Sequence, residues 1–141
     1  MKNIQKYIPG AIEVAEKHLA KNGKISEKMN GYISSFGASV ISAGLLPTLV
    51  FFSQKGESEG REKLVKVLEA LLKKEGMLNS DEQLLKKVKD LVKPVDNTTD
   101  KVAQEAQNKA ELNKLTDDIY RLIVALKLAI RIFPKSKKQK S

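Results

Sequence analysis

With 141 residues, no cysteine and one histidine, the chain has the length of a single domain and excludes a disulfide framework or a thiolate metal site. Its formal charge of +9 turns the search for partners toward polyanions or acidic surfaces. That charge is uneven: +3 in residues 1–30, none in 31–54, +2 in 55–93, zero in 94–132 and +4 in 133–141.

In chain order, the N-terminus MKNIQKYIPGAIEVAEKHL mixes acids with short apolar stretches and does not read as a signal peptide. Ile4, Ile8, Ala11, Ala15 and Leu19 recur at helical spacing, which predicts a first helix from Ile4 or Pro9 to Lys21. Pro9 suits a first turn, and Asn22-Gly23 suits a stop because both residues tolerate left-handed backbone. Ser26 or a neighbour starts the next helix.

That helix enters GYISSFGASVISAGLLPTLVFFSQ, residues 31–54, which carries no charge. The stretch is long enough to cross a bilayer. Serines at 34, 35, 39 and 42 and the pair Pro47-Thr48 interrupt it, and its aromatics form no two belts. The other helices are amphipathic and each needs an apolar partner. The expectation is therefore a segment apolar on all sides at the centre of a soluble bundle, with Pro47 separating two helices or kinking one. A membrane span over 31–54 is the alternative.

Gln54 to Gly60 reads as a polar loop. Residues 61–75 place Leu64, Leu68, Leu71 and Leu72 together, and Gly76 ends that helix. Ser80-Asp81-Glu82-Gln83 has the form of a capping box ahead of Leu84, Leu85, Val88, Leu91 and Val92, and Lys93-Pro94 stops the helix. Asn97-Thr98-Thr99 is read as the cap of a last helix reaching Phe133. Its seam of Leu112, Leu115, Ile119, Leu122, Leu126, Ala129 and Phe133 alternates three- and four-residue steps. Val102 to Ala110 is weakly apolar and reads as a frayed or separate segment. The expected fold is all-α: a single compact helical bundle of about five to six helices over residues 1–133, with a basic disordered C-terminal tail over 134–141.

Little here supports catalysis. His18 has no second histidine or cysteine near it, Glu57/Glu59 and Asp117-Asp118 read as solvated charge, and Gly56–Gly60 lacks the Lys-Ser/Thr of a phosphate loop. No catalytic, metal or cofactor residue is assigned. Basic clusters remain: Lys17, Lys21, Lys24 and Lys28; Lys63, Lys66, Lys73 and Lys74; Lys86, Lys87, Lys89 and Lys93; and Lys127 with Arg131. Acids interleave in 55–93 and weaken that region. Aromatics are few, so nucleic acid would be held mainly through its backbone.

Tyr32, Gly44, Leu45, Phe51, Phe52, Lys55 and Gly56, followed by Thr116, Asp118, Leu122, Ile123, Leu126 and Lys127, form a pattern that resembles a known family. It is similar to the small α-helical subunit of the type III-B CRISPR RNA-guided effector, the Cmr complex, over most of residues 4–56 and 112–132. Ala125 and Leu128 stand where the family carries a Trp and an Arg, with Arg131 one turn later. The resemblance implies a cytoplasmic, non-catalytic subunit. Its copies stack along the effector filament beside other subunits and line the channel for guide RNA and target RNA. Contacts to the RNA backbone are then assigned to Lys17, Lys21, Lys24, Lys55, Lys127 and Arg131, chosen for charge and for freedom from acidic neighbours. An unrelated helical nucleic-acid or partner-binding module is the remaining alternative.

Overall fold

The computed structural model describes residues 4–54, 59–96 and 100–136. Among them six α-helices form one bundle: α1 (Ile8–His18), α2 (Glu27–Ala43), α3 (Leu45–Phe52), α4 (Glu59–Lys74), α5 (Leu84–Val92) and α6 (Lys101–Ala129). Two-residue strands β1 (Ile25–Ser26) and β2 (Lys135–Ser136) pair in parallel. The expected cap Asn97–Thr99, the proposed RNA contact Lys55 and residues 137–141 lie outside the described residues.

A 3₁₀ turn over Gln5–Tyr7 leads into α1, which has Pro9 in its first turn and ends at His18 rather than Lys21. Asn22 and Gly23 do adopt left-handed backbone, with φ of 54° and 75°, but not as a helix cap. They form a two-residue turn in which Lys21 and Lys24 exchange both backbone hydrogen bonds, at 2.8 and 3.0 Å. Two consecutive positive φ values match the twist of a tight hairpin, and Asn-Gly is the sequence that adopts them most readily. Ser26 then caps α2 as expected, its hydroxyl accepting the Lys28 N–H at 3.2 Å.

The uncharged stretch breaks at Gly44, not at Pro47. Gly44 has φ +97° and ψ 167°, a conformation essentially closed to residues with a Cβ. Pro47 sits in the first turn of α3, where no intrahelical partner is missed. The corner is pinned by Thr48, fully buried, which donates to the Gly44 carbonyl at 2.8 Å and shares a 2.6 Å hydrogen bond with Ser39.

Burial of this stretch is one-sided, which corrects the expectation of an all-round apolar centre. Met29, Ile33, Phe36, Gly37 and Val40 of α2 and Leu45, Leu49 and Phe52 of α3 face inward. Ser35, Ala38, Ile41, Ser42, Pro47, Val50 and Phe51 face out. Small and hydroxyl side chains let an outer helix face water without charge. The most enclosed helix is α4, whose Leu64, Val67, Leu68, Leu71 and Leu72 are wholly inaccessible and which packs on α1, α2, α3 and α6. Among the described residues no helix is long and apolar enough to cross a membrane.

Gly76, at φ +76°, ends α4 as expected, and the Met77 N–H returns to the Leu72 carbonyl at 2.8 Å. The capping box does not form. Glu82 instead accepts the Asn79 N–H at 2.9 Å and pairs with Lys87 at 3.0 Å. These contacts, the backbone hydrogen bond first, hold its carboxyl below the usual range. The open N-terminus of α5 is met from another helix, by Glu69 of α4 accepting the Leu84 N–H at 2.8 Å.

α6 is one unbroken helix of 29 residues, about 43 Å long at its standard rise. Its first third stands in solvent, Val102 being 84% exposed, whereas Leu115, Ile119, Leu122, Leu126 and Ala129 bury the expected seam. Asp118, read from sequence as solvated charge, is buried between Lys114 at 2.9 Å and Arg121 at 3.4 Å.

Candidate nucleic-acid interface

The two ends of the bundle's chain path are joined at one corner. The Ile25 N–H donates to the Pro134 carbonyl at 2.9 Å, and Ile25 and Ser26 pair in register with Lys135 and Ser136. Ile25 itself is buried, so the pairing is anchored in the core. The Asn22-Gly23 turn therefore lies beside the exit of α6, through the 3₁₀ turn Ile130–Ile132 and Phe133. Pro134–Ser136, assigned from sequence to the tail, lie against β1.

This suture joins the two segments of sequence that carry the chain's excess charge. Residues 119–141 hold seven Lys or Arg and no Asp or Glu, and residues 17–28 hold four Lys and one Glu. All other residues together net −1, so the positive balance of the molecule belongs to these two segments.

Of the residues assigned from sequence, Lys21 and Lys24 flank the hairpin turn and Arg131 sits in the 3₁₀ turn three residues before Pro134. All three are exposed. Lys127 lies one turn earlier on α6 and is half-buried, and Lys17 is exposed on the last turn of α1, which packs against α6. The fold thus gathers Lys21, Lys24 and Arg131 around one suture, with Lys127 one turn away on α6. Lys17 lies on the neighbouring helix.

Sequence reasoning missed Lys135, which registers opposite Ile25, and passed over Lys28 in the first turn of α2. A signal was present: Asp118 is the last acid in the chain, and every charged residue after it is a cation.

What sets this corner apart is the scarcity of acids among its cations, since residues 119–141 hold none and residues 17–28 hold one. Among the described residues, Lys17, Lys21, Lys24, Lys127, Arg131 and Lys135 enter no ion pair. Lys73, Lys74, Lys86 and Lys87 are each matched to a carboxylate. Cations without local counter-charges are those that gain most by replacing bound salt at a phosphate backbone. His18, exposed on α1, shares an open pocket with Glu62, Lys63 and Lys66, and among the described residues no three potential metal ligands cluster.

Comparison with known proteins agrees with the resemblance read from the sequence. No curated protein and no solved structure matches the chain. A family model described as "CRISPR-associated protein (Cas_Cmr5)" matches residues 3–110, from ahead of α1 through the exposed first third of α6. The second block of the resemblance, from Thr116 to Lys127, falls beyond that span. With most of its length matched, the chain belongs to the Cas_Cmr5 family of CRISPR-associated proteins, small subunits of the type III-B Cmr complex.

Proposed function

We propose that this Cmr subunit is a non-catalytic, cytoplasmic structural component of the RNA-guided effector. It stacks with copies of itself beside the other subunits and holds the guide and target RNA through their phosphate backbones. The observation that carries the RNA-binding part is the corner where unpaired cations of two distant segments meet. Lys21, Lys24, Arg131 and Lys135 form its centre, and Lys127 and Lys17 extend it along α6 and α1; Lys55 and the remaining tail lysines are proposed as further RNA contacts on their charge alone. Phosphate contacts of this type position RNA without reading its sequence, which suits a subunit that must accept any guide.

The test is affinity purification of the tagged chain from its native cell at moderate and high salt, with the co-eluting proteins and RNA identified. The expected product contains repeat-derived guide RNA and several other effector subunits. Substituting Lys21, Lys24, Arg131 and Lys135 by Ala should leave the protein partners in place and reduce RNA recovery at high salt. A clean product with neither RNA nor effector subunits would overturn the proposal.

A further inference from the structure

Upstream of the basic corner, α6 and α2 enclose an open groove of about 380 Å³ lined by Val40, Ile41, Thr116, Asp117, Tyr120 and Arg121. Tyr120 is 39% exposed, and its ring edge comes within 3.9 Å of where a Cβ of Gly37 would stand. That is an ordinary van der Waals distance, so the ring lies against α2, while the tighter approach at Gly37 is that of Ile123 at 3.3 Å. Ile41, 70% exposed, supplies an apolar wall. Asp117 has no ion-pair partner among the described residues, since Lys114 and Arg121 both turn to Asp118.

The groove lies in line with the cations. Tyr120 and Lys127 are seven residues apart, two turns and about 10 Å along the same side of α6, and Arg131 follows four residues later. A strand that follows α6 from Arg131 and Lys127 toward the helix N-terminus would reach Tyr120. The carboxylate of Asp117 offsets the Arg121 guanidinium that lines the same groove, which leaves no net charge there to hold a phosphate. It does accept hydrogen bonds, which fits an N–H donor. An aromatic face, an apolar wall and an acceptor beside a cationic track match a nucleobase rather than a second anion.

We propose that this groove takes an unpaired nucleobase bearing an exocyclic amino group, stacked on Tyr120 with its amine donating to Asp117. This rests on the RNA-binding reading above and deepens it: the subunit distinguishes single-stranded segments from fully paired ones.

Because the chain has no tryptophan, Tyr120→Trp makes a sole indole reporter in the full-length protein. Titration with oligocytidylate should quench its emission, and a blunt RNA duplex should bind without quenching. Tyr120→Leu should weaken oligocytidylate binding by at least about fivefold, the lower end of what one stacked base contributes, and leave duplex binding unchanged. Asp117→Ala, which removes the acceptor, should abolish a preference for oligocytidylate over oligouridylate. Binding of all three RNAs with no change in emission would overturn the groove while leaving the basic corner intact, as would equal losses on single strand and duplex. An emission change that tracks protein concentration without RNA would assign the groove to a second copy and also overturn it. If the wild-type chain binds none of the RNAs at low salt, the RNA-binding reading falls with it.

Discussion

At the scale of single residues, backbone conformation and local charge carry the sharpest expectations. Gly44 joins α2 to α3 at φ +97° and ψ 167°, where an alanine is strained by about 1–3 kcal/mol. Gly44→Ala should therefore lower the urea midpoint, whereas Gly31→Ala, on the exposed side of α2 with open space around its Cα, should hold or raise it. Equal midpoints for the two variants would remove the conformational argument. Glu82 gives a pH-dependent counterpart. Its carboxyl is held below the ordinary 4.5 by the Asn79 N–H and by Lys87. A depressed native pKa stabilises the fold above the unfolded value, and that contribution is lost as pH falls through the native one. Glu82→Gln keeps an acceptor for Asn79 but loses the charge facing Lys87. Urea melts should show it weaker than wild type at neutral pH, with the gap closing as pH falls below 4.5 and through the native value, where the wild-type carboxyl protonates. A gap that persists in acid would mean that shape, not charge, matters at this position.

At the scale of elements, α6 divides into a buried and a solvated part, and the division has a dynamic consequence. Residues 101–111 find almost no cover, whereas Leu115, Ile119, Leu122 and Leu126 are locked into the core. Backbone amides over 115–129 should exchange with solvent only on global unfolding, and those over 104–111 faster by orders of magnitude, since a helix end without tertiary packing opens locally. Uniform protection along α6 would show that the first third is covered in solution. This gradient was legible in sequence, because the leucine seam starts at Leu112 and nothing upstream continues it. The sidedness of residues 31–54 was not. An uncharged run is compatible with a fully buried helix and with an outer one that shows serine and alanine to water, and composition carries no direction. Asn22-Gly23 was equally ambiguous, since one pair of left-handed residues serves a helix stop or a hairpin. What decides between them is β2, more than a hundred residues away, and a two-residue strand leaves no periodic trace.

At the scale of the whole molecule, the net charge of +9 matters less than where the fold puts it. Binding of RNA phosphates releases counterions, so log affinity falls linearly with log salt, by roughly 0.7 for each contact to a single strand. If the corner holds the backbone, replacing Lys21, Lys24, Arg131 and Lys135 together by Ala should reduce that slope by up to about 3. The matched comparison replaces Lys73, Lys74, Lys86 and Lys87, which changes the net charge equally but removes cations already paired with Glu69, Glu13, Asp90 and Glu82. Those four exchange one counter-charge for another on meeting phosphate and release little salt, so their slope should stay within about one of wild type. Fluorescence anisotropy of a labelled RNA across a salt series reads both variants on one scale. Equal slopes for the two quadruple variants would mean that the protein attracts RNA as a diffuse positive body. A slope lost only with the corner variant would tie recognition to the parallel pairing of β1 and β2, which holds the hairpin lysines beside the acid-free end of the chain. Breaking that pairing with Ile25→Pro, which deletes the N–H donated to Pro134, should then weaken RNA binding without removing a single charge. Circular dichroism of that variant would check that the helices remain.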